Sequence, residues 1–157
     1  MNIKILTIGK THKHFLIDGE NEYQKRLKKY VNLTKLELPD IKNTKKMAES
    51  EIKIKEGDAL LAKILPSDYV ILLDDKGKMY SSVEFSKWLQ KKMNLSIKTV
   101  VFIVGGAYGF SDQVYQRANE KISISKMTFS HQMIRMIFLE QVYRAFSILN
   151  NEPYHHE

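Results

Sequence analysis

The residue types able to do chemistry gather in the last third of the chain. Pro153-Tyr154-His155-His156 sets an aromatic ring beside histidines, a pairing that can stack on a nucleobase and donate or accept a proton. Glu140 and Arg144 stand four apart, the spacing of a favourable helical ion pair. Arg135 falls about 40° from His131 on a helical wheel, inside an apolar arc. A guanidinium there needs a partner, because an unpaired buried charge costs several kcal/mol. Two partners fit: an internal or interfacial carboxylate, or a phosphate or carboxylate of a substrate, which the fork geometry of arginine suits.

Three further segments have the character of ligand-holding loops. Gly105-Gly106-Ala107-Tyr108-Gly109 follows the most hydrophobic run of the chain, and glycines at such a strand tip let a ligand approach the backbone closely. The spacing is not that of the dinucleotide fingerprint, so a nicotinamide or flavin enzyme is disfavoured. A tight strand-to-helix turn is the other reading. Leu72-Leu73-Asp74-Asp75-Lys76-Gly77-Lys78 is a second strand end with a glycine turn, placed to face the first across one crevice. Ile124-Ser125-Lys126-Met127-Thr128-Phe129-Ser130-His131-Gln132 is rich in hydroxyls and enters a helix capped by Thr128 or Ser130. Its backbone amides and carbonyls can hold the polar edge of a purine, and helix capping alone also accounts for it. The five histidines, His12, His14, His131, His155 and His156, form no metal-ligand grouping beyond two adjacent pairs, so no metal site is expected.

Elements that position these groups follow from the hydrophobic periods. Strands are predicted at Asn2 to Ile8, Val31 to Leu38, Tyr69 to Leu73, Thr99 to Val104 and near Lys121 to Ser125. Helices are predicted around Asp18 to Lys29, Met47 to Leu65, Ser81 or Ser82 to Met93, Ser111 to Asn119 and about Ser130 to Asn150. The run Thr99-Val100-Val101-Phe102-Ile103-Val104 has no alternation, as in a strand covered on both faces. The expected fold is therefore α/β, a mostly parallel sheet with helices on both faces, in one domain over residues 1–157. On the last helix the apolar positions spread over roughly 200°, more than a surface helix needs. Either that helix is the central element of the fold, or one side packs on the sheet and the other on a second copy of the chain.

Composition narrows the partners. The 157 residues carry 25 Lys and Arg against 18 Asp and Glu, a net charge of +7, with no cysteine. Zero cysteines exclude disulfides, thiolate metal sites and a cysteine nucleophile, and suit a reducing compartment. No apolar run approaches the ~18 residues of a membrane span, and none near the N-terminus makes a signal segment. A cytoplasmic protein with no membrane association is expected. The positive surplus makes nucleic acid the first partner to consider.

Taken in order, the segments resemble one family across the whole chain. They are Leu73 with Gly77-Lys78, then Val104 to Gly109, then Ser125-Lys126-Met127-Thr128-Phe129-Ser130-His131-Gln132-Met133-Ile134-Arg135, then Glu140 to Ala145, and finally Pro153-Tyr154-His155. The opening Lys4 to Lys10, Glu22 to Leu27 and Lys55-Glu56-Gly57 agree as well. The set is similar to the SPOUT-class methyltransferases of the ribosomal large subunit that methylate N3 of a pseudouridine. The resemblance implies a homodimer, a C-terminal trefoil knot and S-adenosylmethionine as cofactor, with ribosomal RNA, on the assembled ribosome, as partner. It implies cofactor contacts at Leu73, Gly105 and the loop Ile124, Ser125, Lys126, Met127, Thr128 and Phe129. It assigns substrate engagement and catalysis to His131, Arg135, Arg144, Tyr154 and His155. Ser130 stands where the family usually has proline; either residue starts a helix.

Methyl transfer to an imide nitrogen needs in-line geometry and removal of the N3 proton, and positioning can supply roughly 7–11 kcal/mol. No carboxylate is an obvious base in the sequence. His155 is the first choice for proton removal or its relay, with Arg144 favouring the developing anion. Two other functions use the same features: a basic ribosome-binding factor without catalysis, and a small-molecule α/β enzyme with a phosphorylated ligand in the Gly105-Gly106 crevice.

Overall fold

The computed structural model describes residues 1–156. Its order is β1 (Asn2–Ile8), α1 (His14–Leu27), β2 (Asn32–Leu38), a 3-10 turn (Thr44–Lys46), α2 (Glu49–Leu61), β3 (Tyr69–Met79), α3 (Ser82–Asn94), β4 (Thr99–Val104), α4 (Asp112–Arg117), β5 (Glu120–Ser123) and α5 (Met133–Leu149). The five strands form one parallel sheet in the order β2-β1-β4-β3-β5.

Both faces of the central strands are covered, which is why their sequences lack a polar side. Ile3 and Ile5, Val100, Phe102 and Val104, and Ile71 and Leu73 point to one core; Leu6 and Ile8, Val101 and Ile103, and Val70 and Leu72 point to the other. The first core is closed by residues of α1, α3 and α5, the second by residues of α2 and α4. The α/β arrangement read from the sequence is thus present.

The helix α5 is the central element on its face. Phe138, Leu139, Val142, Ala145 and Phe146 are buried, and α5 packs on both α1 and α3. This accounts for much of the wide apolar arc within a single chain, so the arc by itself does not require a second copy. A narrower, half-buried stripe remains on α5 at Ile134, Ile137, Gln141, Arg144 and Ile148.

Several boundaries differ from the sequence reading for local reasons. The helix α1 begins at His14, four residues before the expected Asp18. Lys13 at its N-cap supplies no side-chain bond, and Gly19 lies inside the helix, where the side chain of Met136 occupies the space a Cβ would fill. Asp18-Gly19 therefore mimics a start signal. The N-cap of α3 follows the rule: Ser81 accepts from Glu84 N while Glu84 accepts from Ser81 N, the reciprocal capping box. β3 runs on past Leu73 to Met79, and Leu73 and Lys78 both oppose Ile122, so residues 74–77 bulge out of the ladder.

Candidate functional site

A cavity of about 610 Å³ opens where the carboxyl ends of β3 and β4 meet the loop before α5. One wall is Leu73, Asp74, Asp75 and Lys76; a second is Val104 to Phe110; a third runs from Ile122 to Ser125 and on through Met127 to His131, with Ile134 of α5. The two glycine-bearing strand ends do face each other across one crevice, as expected. Leu73, Gly105, Ile124, Ser125, Met127, Thr128 and Phe129 all line it, and His131 stands at its rim. Lys126 belongs to the same loop, is exposed, and is not part of the wall.

The loops are held by their own hydrogen bonds. Ser125 Oγ accepts from Met127 N at 2.9 Å, and Ser123 Oγ donates to Ser125 O at 2.9 Å. The N-cap of α5 is Gln132, with no side-chain cap bond, rather than the expected Thr128 or Ser130; Ser130 Oγ accepts from Met133 N at 3.1 Å and so holds the turn that leads into the helix. Gly109 N donates to Gly106 O at 3.2 Å, with Gly109 at φ +79°, a value open to glycine without strain. On the β3 side, Tyr115 donates to Asp74 Oδ2 at 2.5 Å, and Asp74 Oδ1 accepts from Lys76 N at 2.8 Å. Burial, then Asp74 and Asp75, push the Tyr115 phenol well above the ordinary tyrosine range, so it stays a donor.

Behind the second wall lies a buried carboxyl. Glu56 of α2 packs against Gly106 so closely that a Cβ there would sit 2.7 Å from Glu56 Oε2. That oxygen has no hydrogen-bond partner among the described residues, and neither has the buried Ser111 Oγ. Burial first, then the charge of Asp40, raise the Glu56 pKa. A carboxyl with a raised folded value favours folding while neutral and loses that advantage as pH climbs through it. Glu56→Gln, which mimics the neutral acid, is therefore expected to stabilise the chain at pH 7.5 by about 1 kcal/mol, about 2–4 °C in melting temperature. The gain should vanish below the ordinary carboxylate value of 4.5. Equal melting of the two proteins at both pH values would contradict the assignment.

Arg135 is turned inward. It is 1% exposed, the largest fully buried side chain. Nη2 donates to Ile8 O at 2.7 Å, Nη1 to Gly9 O at 2.9 Å and Thr11 Oγ1 at 3.2 Å, and Nε to His131 O at 3.0 Å. Glu37 is 3.8 Å away, and Glu20 accepts from Thr11 at 2.7 Å. Burial pulls the guanidinium below the ordinary arginine value, with Glu20, Glu37 and Asp40 opposing. Of the two readings left open by the sequence, the geometry realises the internal one: the fork ties the start of α5 to the end of β1. His12 N donates to Gln132 Oε1 at 2.9 Å and reinforces the same join.

The tail forms a second constellation. Arg144 donates to Glu140 Oε1 from Nε at 3.1 Å and from Nη2 at 2.5 Å, and its Nη1 lies 3.3 Å from His155 Nδ1. Tyr154 donates to the same Glu140 Oε1 at 3.0 Å, and Tyr23 reaches Tyr154 Oη at 3.4 Å. The Arg144 guanidinium lies 4.7 Å over the Tyr154 ring, which meets Tyr143 edge-on at 4.8 Å. Arginine only donates, so Nδ1 of His155 accepts and the ring carries its proton on Nε2. That atom is buried without a partner among the described residues. Neither nitrogen of His155 offers a free lone pair here, which weakens its candidacy as the base. Burial would lower the Arg144 pKa, but its bonds and charge pairing with Glu140 outweigh it and hold the value above the ordinary one. Burial first, then Tyr23 and Glu140, push the Tyr154 phenol up, out of the range in which it ionises.

The sequence placed Glu140 only as the partner of Arg144. Its role as the shared acceptor of Tyr154, and the contact with Tyr23, 131 residues away, carry no local signal. Within one chain the two constellations stand apart: Arg144 lies ten residues beyond Ile134 on α5, about 15 Å along the axis. Among the described residues no group of three or more His, Cys, Asp and Glu is placed to hold a metal, and no helix is long and apolar enough to cross a membrane.

Comparison with known proteins gives the family. A family model described as "Predicted SPOUT methyltransferase" matches residues 1–155. The chain is 54% identical to the Ribosomal RNA large subunit methyltransferase H of Parabacteroides distasonis and 55% to that of Flavobacterium psychrophilum, over the full length of both chains in each case. Among solved structures, a probable methylase family protein from Haemophilus influenzae Rd KW20 superposes with TM-score 0.56 at 13% identity, over 99% of this chain and 71% of that one. A putative methyltransferase from Legionella pneumophila, in complex with the bound cofactor SAM, gives 0.51 at 12% identity over 93% and 66%. At such identities the two structures speak for the fold alone. With a family model spanning the chain almost end to end and relatives more than half identical over its whole length, the protein belongs to the SPOUT methyltransferases.

Proposed function

We propose that the chain transfers a methyl group from S-adenosylmethionine to N3 of a pseudouridine in large-subunit ribosomal RNA. The observation that carries this reading is the cavity walled by two glycine-bearing strand ends and the hydroxyl-rich loop before α5, in a chain more than half identical to named large-subunit rRNA methyltransferases. The site suits the cofactor: Leu73, Val104, Ile122, Ile124 and Ile134 offer apolar surface for a nucleoside and a thioether chain, while Ser125, Thr128 and the loop backbone offer polar partners for a purine edge. When bound, the cofactor supplies an electrophilic methyl on a sulfonium. The contribution of the chain is orientation, exclusion of water and removal of the N3 proton.

His131, Arg144, Tyr154 and His155 are the groups proposed to meet the nucleotide, with Arg135 acting from behind by fixing the start of α5. Because some 15 Å of helix separates pocket from tail, we assign the working unit to a homodimer in which the tail of one subunit approaches the pocket of its partner. The half-buried stripe on α5 and the exposed Tyr108, Met127 and Phe129 around the cavity support that pairing. The trefoil knot implied by the family belongs to the same reading. So does the assembled ribosome, in the cytoplasm, as the place of action: exposed Lys25, Arg26, Lys28, Lys29, Lys42, Lys45 and Lys46 furnish a phosphate-binding surface, although Glu22 and Glu152 compensate Arg26 and Lys29 in part.

Mass spectrometry of large-subunit rRNA from cells lacking the protein is the test, paired with purified protein, ribosomes and labelled S-adenosylmethionine. Loss of one methyl group on one pseudouridine, and its restoration in vitro, is expected. Unchanged rRNA, or label entering a small molecule in the absence of RNA, would overturn the reading.

A further inference from the structure

The tail constellation contains a carboxylate that the sequence did not single out as a base. Glu140 Oε1 accepts three hydrogen bonds, two from Arg144 and one from Tyr154, and Glu140 Oε2 accepts from Gln141 Nε2 at 2.7 Å. Gln141 in turn accepts from Ser82 Oγ at 2.9 Å, at the start of α3. Glu140 thus ties α5, the tail and the first turn of α3 into one polar chain.

Donor and acceptor capacity at Tyr154 leaves one position open. A phenol has one proton to give and two lone pairs with which to accept. The proton is committed to Glu140 Oε1 at 3.0 Å, so the contact with Tyr23 at 3.4 Å has Tyr23 as donor. One lone pair of Tyr154 Oη remains unused, on a side chain that is half-buried rather than sealed. His155 offers no such vacancy, since Arg144 occupies its accepting nitrogen.

Building on the proposed methylation, we propose that Glu140 is the terminal proton acceptor of the reaction, acting through the hydroxyl of Tyr154. The free lone pair of Tyr154 Oη receives the N3–H of the nucleobase. As the N3–CH3 bond forms and the S–CH3 bond breaks, with the S–C electron pair left on sulfur, the N3 proton passes to Tyr154 Oη. The phenolic proton moves at the same time to Glu140 Oε1. The phenol is restored, the carboxylate ends as a neutral acid, and the positive charge of the sulfonium disappears with the negative charge of Glu140. Arg144 and Tyr23 hold the relay in register, and Glu140 is a positioning and proton-holding residue rather than one that touches the substrate.

Single-turnover methylation of unmethylated ribosomes, read by label at N3 in H2O and D2O, tests the relay. Wild-type protein should show a solvent deuterium isotope effect with a two-proton inventory. Glu140→Gln, which keeps the shape but accepts no proton, should lose about 10²–10⁴ in rate, lose the two-proton inventory, and bind S-adenosylmethionine with unchanged affinity by calorimetry. Tyr154→Phe leaves the Glu140–Arg144 pair intact and should lose the same amount, and the double variant should be no slower than either single one. Tyr154→Phe alone tests the relay if Glu140→Gln does not fold. Wild-type rate or isotope effect in a folded single variant, or additive losses in the double variant, would refute the relay. Absence of N3 label with the wild-type protein would instead refute the methylation itself.

Discussion

Arg135→Met should lower the stability of the chain by about 3–5 kcal/mol, about 10 °C in melting temperature at this length. Methionine keeps the bulk of the side chain but removes every donor. The carbonyls of Ile8 and Gly9 then lose their partner, and Glu20 and Glu37 keep only Lys35 of the two positive charges that face them. Lysine is not a conservative replacement, because one ammonium cannot span the end of β1 and the carbonyl of His131 together. Since the same fork positions His131 and Ile134 at the cavity, affinity for S-adenosylmethionine should fall along with stability. Urea unfolding and calorimetry on the variant measure the two effects; a loss under about 1 kcal/mol would mean that water or neighbouring groups replace the guanidinium, contrary to its burial.

The second large effect is expected at Gly77. A Cβ there would lie 2.5 Å from Ile122 C and 2.6 Å from Ile122 N. These are backbone atoms of a neighbouring strand, and no rotamer change relieves the overlap. Gly77→Ala should therefore separate β3 from β5 at the bulge, with a loss of about 2–3 kcal/mol as in other overpacked sites. Ile122, Ser123 and Ile124 would shift with it, so the cavity should widen and cofactor affinity should drop by more than tenfold, a cost of only about 1.4 kcal/mol. Gly109→Ala is the useful contrast: it has open space around the added methyl but a positive φ, so strain rather than collision sets its smaller penalty. If Gly77→Ala binds cofactor as the wild-type protein does, the bulge is not what shapes the pocket.

The two cases show which parts of the molecule are legible in one dimension. β1 and β4 occupy the residues predicted: β4, buried on both faces, announces itself as an apolar run without alternation, and β1 as a short run rich in isoleucine broken only by Lys4 and Thr7. The cavity was readable for a related reason: glycines at strand tips and hydroxyls before a helix mark places where backbone must come close to something. Asp18-Gly19 misled, since a turn-like pair inside α1 exists to let Met136 approach. The bulge at residues 74–77 looked like a turn because the same residue types serve both. Arg135 was visible as an anomaly on an apolar face, but whether it met a substrate or the chain's own carbonyls depends on β1, more than 120 residues away. The joint acceptor role of Glu140 and the reach of Tyr23 to the tail depend on α1 packing beside α5, which no local pattern encodes.

One rigid rod, α5, carries a wall of the cavity at its start, Ile134, and further along it the Glu140–Arg144 pair that holds the tail. If each centre draws its two halves from different copies, a damaged pocket and a damaged tail need not reside in the same catalytic unit. Co-expressing a Gly77→Ala chain with a Tyr154→Phe chain should then yield hybrid pairs in which one of two centres is whole, so at limiting S-adenosylmethionine a blend of two impaired proteins turns over faster than either alone. Subunits that worked alone would show no such rescue.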